Sequence, residues 1–226
     1  TASHDGIGVR PLEGLLPADE IEKLIAGMIG FGGMVSRKTN ADGSQSPYEI
    51  NITYLDAVKG TQLGPDHLQE ERFVTSQAIM MALRGIPAFY IHSLLGTTND
   101  NTGVETTGRA RSINRRQLNE EEISGLLASE TIHRRLFERL TNLIRIRRNC
   151  TAFHPASEQQ VLEHDSAAFA IVRMNRNTGE RVYCISNMSV RPVEIRSLLP
   201  ENRKGWDLIS GEQVTLKGPI LLKACQ

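Results

Sequence analysis

The hydrophobic pattern of this chain changes its period near Ala152, and this change constrains the fold more than any other feature. Before this point, apolar residues recur at the three- and four-residue spacing of amphipathic helices. After it, they alternate with polar residues in short segments separated by turns, which is typical of β-strands. The sequence therefore predicts an α/β domain over 1–152 and a small antiparallel β domain over 153–226.

The order of predicted elements in the first domain is typical of the C-terminal part of a (β/α)8 barrel. One helix is predicted over 15–30 and a second over 64–85, and each range ends at a glycine. The continuous apolar run over 86–91 predicts a parallel strand covered on both faces. A long polar loop over 96–117 follows, and barrel enzymes carry their chemistry on the loops that leave the strands. Residues 34–64 are expected to form an irregular inserted loop region, with a turn over 40–47 and a short β-prone or extended run over 48–55.

Two further patterns predict local structure. Asn119 and Glu122 have the spacing of a capping box at the start of a helix. In the second domain, a polar turn over 175–179 is expected to join two strands, and four shorter strands follow.

Composition excludes several classes of partner. Lys plus Arg and Asp plus Glu both number 26, so no overall charge attracts nucleic acid or an anionic membrane. No apolar run approaches the roughly 18 residues that span a bilayer. The three cysteines lack disulfide or metal spacing, which favours reduced thiols and a cytoplasmic location. No motif suggests a metal or an organic cofactor.

His4 and Asp5 are the first candidate site residues. Gly6 and Gly8 follow them, so the backbone could approach a ligand closely. A surface turn explains the same residues equally well. A second His-Asp pair at 164–165 is best explained as such a turn.

A group of arginines and a Tyr-Glu pair are further candidates. The arginines could form a solvated basic patch or hold a phosphate or carboxylate through paired hydrogen bonds. Tyr48 and Glu49 could face a ligand or attach their loop to the core. The arginines in question are Arg109, Arg111, Arg115 and Arg116.

Four stretches, taken in order, resemble the C-terminal portion of sucrose phosphorylase-like enzymes of the α-amylase superfamily. They read "ASHDGIGVRP", "SPYEINITYLDAV", "GIPAFYIHSLLG" and "GRARSINRR". The resemblance implies a (β/α)8 barrel followed by a small β domain. It also implies retaining transfer of glucose between an α-glucoside such as sucrose and inorganic phosphate, giving glucose 1-phosphate.

The resemblance also implies roles for particular residues. Asp5 matches the carboxylate that stabilises the transition state, with His4 before it. Arg111, with Asn114 and Arg115 after it, matches the residues that bind the sugar. Tyr48 matches a tyrosine of the acceptor loop.

One departure bears on the second substrate. Sucrose-specific members have glutamine where this chain has Glu49. Fructose is therefore in doubt as the acceptor, and a glucosylglycerate-type phosphorylase is an alternative. Another transferase or hydrolase of the same superfamily is a further alternative.

The nucleophile and the acid/base residue of such enzymes belong to earlier barrel strands. Retaining chemistry needs two carboxyl groups roughly 5 to 5.5 Å apart, so the chain alone is expected to be inactive. The missing start methionine could reflect processing or a longer protein. Because the resemblance begins in the middle of the barrel, the chain is expected to need an N-terminal half of the barrel as its partner. A non-enzymatic remnant that self-associates is the alternative from a different functional class.

Overall fold

The computed structural model of the chain describes residues 1–128, 130–163, 167–195, 204–215 and 218–226. The pair at 164–165 lies outside these residues. The contacts divide the chain into two compact units. The first contains Thr1–Phe73 and Phe89–Phe137, and the second contains Val74–Ala88 and Glu138–Gln226. The predicted domain boundary near Ala152 stays a prediction.

A three-stranded antiparallel sheet organises the first unit. β1 (Ile7–Gly8) pairs with β3 (Gln45–Asn51), which also pairs with β2 (Met34–Thr39). The Asn40 amide donates to the Ser44 carbonyl at 2.8 Å in the turn between β2 and β3. The predicted turn over 40–47 and the β-prone run behind it are present, but the expectation of an irregular pattern from residue 34 was wrong, because β2 pairs with β3 in a hairpin.

The predicted first helix is present as α1 (Ala18–Gly30), which begins after Pro17. Its residue Ile25 is 2% exposed and packs in a cluster with Val9, Ile50 and Ile52. The hydrophobic side of α1 therefore covers the sheet that carries the start of the chain.

Short elements follow the sheet. They are α2 (Tyr54–Ala57), β4 (Gly60–Thr61) and β5 (Gly64–Pro65). A polar network links α2 to Asn99. The backbone amide of Asn99 donates to Asp56 Oδ2 at 2.7 Å, and its side-chain Oδ1 accepts from the backbone amide of Thr53 at 2.9 Å. These bonds satisfy groups that are otherwise costly to bury.

The second predicted helix is present as α3 (Gln69–Ala82), but the strand predicted over 86–91 was wrong. Residues 86–90 form no ladder, and α4 (Ile91–Leu94) begins directly after Tyr90. Tyr90 does have an extended backbone, with φ −74° and ψ 135°. A parallel strand requires neighbours to pair with, and no described residue pairs with this segment.

The polar loop predicted over 96–117 was also wrong in part. It contains α5 (Asn101–Thr107) and a 3₁₀ turn (Ala110–Asn114). Asp100 caps α5 by accepting from the Gly103 amide at 2.9 Å. Asparagine and aspartate favour loops in a sequence, but the same side chains also begin helices.

The first unit ends with α6 (Glu120–Ala128) and the first part of α7 (Ile132–Asn149). The predicted capping box is confirmed, because the Asn119 amide donates to Glu122 and the Glu122 amide donates to the Asn119 side chain, both at 2.9 Å. Leu136 and Leu140 of α7 are fully buried. Both α3 and α7 begin in the first unit and end in the second.

The second unit contains small antiparallel sheets, as predicted. β7 (Ala168–Met174) pairs with β6 (Glu158–Val161) and with β8 (Arg181–Asn187), and residues 175–179 form the predicted turn. Two further pairs are β9 (Val193–Ile195) with β12 (Ile220–Leu222), and β10 (Lys204–Trp206) with β11 (Gln213–Thr215).

A buried arginine joins several parts of the second unit. Arg173 is fully buried, and its guanidinium donates to the carbonyls of Ala82, His154 and Glu158 at 2.8 to 3.2 Å. Burial lowers the pKa of Arg173. Because the carbonyls at a helix end have no partner within the helix, the bond to Ala82 also caps α3.

None of the three cysteines, all of which lie in the described ranges, forms a disulfide in the structure. Burial raises the pKa of Cys184 to about 12. Across the described ranges, no helix is both long and apolar enough to cross a bilayer. The predicted cytoplasmic location stays a prediction.

Candidate functional site

A tight turn over residues 3–6, here the Asp5 turn, carries the first candidate residues. The Ser3 amide donates to the Gly6 carbonyl at 2.9 Å, and the Gly6 amide donates back to the Ser3 carbonyl at 3.0 Å. Gly6 has a φ of +100°, and a Cβ atom there would lie 2.2 Å from the Ile50 carbonyl oxygen. The turn therefore needs glycine both for its backbone angle and for its contact with β3.

Three successive carbonyls of the Asp5 turn accept hydrogen bonds from side chains. Asn114 Nδ2 donates to Ser3 at 2.9 Å, and Arg115 Nε donates to His4 at 2.7 Å. Asn51 Nδ2 donates to Asp5 itself at 2.9 Å. Asn51 and Asn114 are 0% and 1% exposed, so their positions are fixed by packing.

The Asp5 carboxylate lies between two arginines. Its Oδ1 accepts from Arg115 Nη2 at 2.9 Å and lies 3.2 Å from Arg111 Nη1. Its Oδ2 lies 3.4 Å from His4 Nε2. With 36% of the side chain exposed, Asp5 can present Oδ2 to a ligand while the arginines hold Oδ1.

Arg111 also binds Glu49, so one guanidinium bridges two carboxylates. Arg111 Nη2 and Nε donate to Glu49 Oε2 at 2.7 and 3.2 Å. The Glu49 side chain is only 9% exposed, and its hydrogen bond is the main cause that raises the pKa of Arg111. Two positive and two negative groups therefore balance within this Asp5 cluster, which we define as Asp5, Glu49, Arg111 and Arg115.

The 3₁₀ turn that carries Arg111 is anchored on both sides. The Asp100 amide donates to the Ile113 carbonyl at 2.8 Å, and the Tyr90 hydroxyl donates to the Asn114 carbonyl at 2.8 Å. Burial raises the pKa of Tyr90, which keeps this hydroxyl protonated as a donor.

The remaining candidates are placed outside the cluster. Arg116 pairs with Glu122 at 2.9 Å, next to the start of α6. Tyr48 is 37% exposed, and its carbonyl accepts from the Val9 amide at 3.1 Å. Of the four arginines in the predicted patch, Arg111 and Arg115 thus contact Asp5.

A groove of about 470 Å³ lies beside Glu49 in the same unit. We call it the Arg10 groove. Residues after β1 form one wall and residues of β3 form the other. Its lining consists of Gly8, Arg10, Pro11, Glu13, Tyr48 and Glu49.

Sequence reasoning missed three residues near the site. Asn51 lies two residues after Glu49 on β3, and the alternation of a strand places both on one face, so that signal was available. Tyr90 was hidden in the apolar run, and Arg10 carried no pattern. Among the described residues, no group of His, Cys, Asp or Glu side chains could hold a metal ion.

This arrangement can bind a polyhydroxy ligand or stabilise a developing positive charge. An exposed carboxylate oxygen accepts hydroxyl donors, and the guanidinium groups around it can donate to sugar oxygens. A rigidly held carboxylate also stabilises a cationic transition state at little cost in reorganisation.

Comparisons with known proteins give relatives over most of the chain. No family model matches. The chain is 37% identical over 222 residues to glucosylglycerate phosphorylase from Escherichia coli, covering 96% of this chain and 39% of the relative. It is 38% identical to the enzyme of the same name from Spirochaeta thermophila, covering 93% and 37%. It is 29% identical to sucrose phosphorylase from Streptococcus mutans, covering 77% and 34%.

Solved structures show the same fold. The crystal structure of sucrose 6F-phosphate phosphorylase from Thermoanaerobacter thermosaccharolyticum aligns with a TM-score of 0.67 and 24% identity, covering 81% of this chain and 35% of that chain. An Anoxybacillus α-amylase aligns with a TM-score of 0.51 and 15% identity, covering 70% and 31%.

The chain thus spans less than two fifths of the length of the curated relatives it matches. The two solved structures share its fold over 81% and 70% of this chain. Over most of its length the chain is homologous to the C-terminal portion of glucoside phosphorylases, those named for glucosylglycerate and for sucrose.

Proposed function

We propose that this chain is part of a retaining glucoside phosphorylase that transfers glucose between phosphate and an acceptor. In the synthetic direction, the bond between C1 of glucose and the phosphate oxygen breaks, and a bond from C1 to an acceptor hydroxyl forms. Phosphate leaves with the proton of that hydroxyl. The observation that carries this proposal is the Asp5 cluster, in which two arginines hold Oδ1 of a partly exposed carboxylate and leave Oδ2 for a ligand.

In this proposal, Asp5 stabilises the positive charge that develops on the sugar ring in the transition state. The donor glucose, or the turn that contacts it, is held by four residues: His4, Arg111, Asn114 and Arg115. The contacts of Arg111 and Arg115 with Asp5 support these roles, because a group that acts on the transition state must be positioned before the reaction.

We further propose that the nucleophile and the acid/base residue lie outside this chain. A retaining enzyme uses two carboxyl groups about 5 to 5.5 Å apart on either side of the scissile bond. Asp5 and Glu49 share a single arginine, and Glu49 is buried against it. Glu49 therefore lacks the open access to C1 that a nucleophile needs, and Asp5 alone cannot supply both carboxyl groups. The chain alone is therefore expected to be inactive.

We propose glycerate as the acceptor in preference to fructose. Two relatives at 37% and 38% identity are named glucosylglycerate phosphorylases, whereas the Streptococcus mutans sucrose phosphorylase is 29% identical. Glu49 supports this choice, because the resemblance implies glutamine at this position in sucrose-specific members, and here a carboxylate that binds Arg111 takes its place.

The test uses the native protein, isolated with whatever residues accompany this chain. Phosphate release from glucose 1-phosphate is measured with glycerate, fructose or glycerol as the acceptor. We expect glycerate to give the highest kcat/KM. Faster transfer to fructose would return the assignment to a sucrose phosphorylase, and the absence of transfer to any acceptor would contradict the proposed function.

A further inference from the structure

Arg10 is an exposed guanidinium that lines the Arg10 groove. Within the described residues it has no ion pair and no side-chain hydrogen bond, and the same holds for Glu13, on the same wall. An arginine in a concave surface without a partner can form paired hydrogen bonds with an incoming carboxylate.

The groove is continuous with the Asp5 cluster through Glu49, which belongs to both. Gly8 pairs with Glu49 across β1 and β3, and the Val9 amide donates to the Tyr48 carbonyl at 3.1 Å. Arg10 begins the 3₁₀ turn Arg10–Leu12 directly after these bonds, and Pro11 restricts its backbone. The main chain therefore holds Arg10 at a fixed position beside the cluster.

The charges in the groove favour one kind of anion. Arg10 supplies one positive charge, while Glu13 and Glu49 are acidic, and Glu49 is already paired with Arg111. An inorganic phosphate dianion would meet unfavourable charge at Glu13. A hydroxy acid has a single negative charge for Arg10 and hydroxyl groups that can donate to Glu13.

We propose that the Arg10 groove binds a hydroxy carboxylic acid as the acceptor, with Arg10 contacting its carboxylate. This inference rests on the proposed function and assigns a residue to the specificity for the acceptor. Arg10 acts on binding of the acceptor and takes no part in breaking the bond to phosphate.

Kinetics of Arg10→Gln in the native protein test the proposal. We expect the KM for glycerate to rise by at least about tenfold, because a paired charge contact is lost. The KM for glucose 1-phosphate and the transfer to glycerol, which has no carboxylate, should stay within about twofold of wild type. The control is Arg148→Gln, which removes an exposed arginine of α7 outside the groove and should change none of these values.

Two kinetic outcomes would overturn the assignment. One is an unchanged KM for glycerate, and the other is equal weakening of glycerate and glycerol, which indicates a general disturbance of the turn. A rise in the KM for inorganic phosphate without a change for glycerate would assign Arg10 to phosphate instead.

A second measurement does not depend on turnover. Phenylglyoxal modifies exposed arginines, and mass spectrometry reports the modification of each site. We expect glycerate to protect Arg10 but not Arg148, and glycerol to protect neither. If the protein transfers no glucose but glycerate still protects Arg10, the proposed function fails and the binding site stands. Equal modification of Arg10 with and without glycerate would refute the site.

Discussion

At the scale of single residues, Asp5 is positioned mainly through its backbone. The carbonyls of residues 3, 4 and 5 each accept a bond from a side chain of β3 or of the 3₁₀ turn, and the two arginines add contacts to the carboxylate. Such fixed geometry suits a group that stabilises a transition state, because little reorganisation is needed during the reaction.

The direct prediction concerns the charge of Asp5. In the native protein, Asp5→Asn should lower kcat by at least about a hundredfold, because it removes a charge contact made chiefly in the transition state. Turnover of glucose 1-phosphate with glycerate gives the measurement. Asp19→Asn, in the exposed first turn of α1, is the matched control and should leave turnover unchanged. A loss of less than about tenfold in Asp5→Asn would contradict the role given to this residue.

A substitution of Asn51 tests whether its side chain stabilises the Asp5 turn. Its side-chain Nδ2 donates to the Asp5 carbonyl, and its Oδ1 accepts from the Ser36 hydroxyl at 2.7 Å. Asn51→Ala should lower the free energy of unfolding by about 1 to 3 kcal/mol, because it leaves the buried partners unsatisfied. Urea unfolding checks this value. Ser46→Ala, on the same strand, removes a single hydroxyl bond to Asn40 and should cost less.

At the scale of elements, hydrogen bonds outside the regular helices and strand pairs decide where the helices begin and end. Asn119 and Glu122 begin α6, Asp100 begins α5, and Arg173 caps the end of α3. In the second unit, Glu180 next to β8 accepts from the Thr151 hydroxyl at 2.6 Å and from the Ala152 amide at 3.0 Å. Glu180 thereby attaches the β7–β8 hairpin to the 3₁₀ turn Thr151–Phe153.

These bonds predict an acid-sensitive contribution to stability. The bond from Thr151 is the main cause that lowers the pKa of Glu180 below its ordinary value of 4.5. Because the folded state binds this proton less readily, the contribution is fully present above pH 4.5 and is lost as the pH falls through the lowered pKa. Glu180→Gln should therefore be less stable than wild type at neutral pH, and the difference should shrink in acid.

Denaturant unfolding between neutral and acidic pH measures that difference. Glu163→Gln, at an exposed position between β6 and β7, is the control and should show no such dependence. A constant difference between Glu180→Gln and wild type at every pH would contradict the linkage.

At the scale of the whole molecule, the sequence predicted local features better than it predicted which strands pair. The capping box, the turn over 175–179 and the first two helices depend on neighbours in sequence, and all are present. The strand predicted over 86–91 required distant partners, which apolar character alone does not supply. In the hairpin of β2 and β3, the turn and the β-prone run that overlaps β3 were predicted, but β2 was missed because it carries polar residues at its exposed positions.

In the candidate site, too, the sequence did not predict contacts between residues that are far apart along the chain. Residue types and a family resemblance identified Asp5, Glu49, Arg111 and Arg115, but not the bond between Glu49 and Arg111, which are 62 positions apart. Nor did the sequence reveal that Asn51 and Asn114 hold the Asp5 turn. Such contacts follow from tertiary packing, which a single sequence does not display.

Exchange between glucose 1-phosphate and labelled inorganic phosphate, without an acceptor, tests the central claim most directly. A retaining phosphorylase forms a glucosyl-enzyme that phosphate can attack again, so exchange does not require glycerate. We predict that the native protein catalyses this exchange and that Asp5→Asn nearly abolishes it. Absence of exchange in the folded native protein, or equal exchange in Asp5→Asn, would contradict the account.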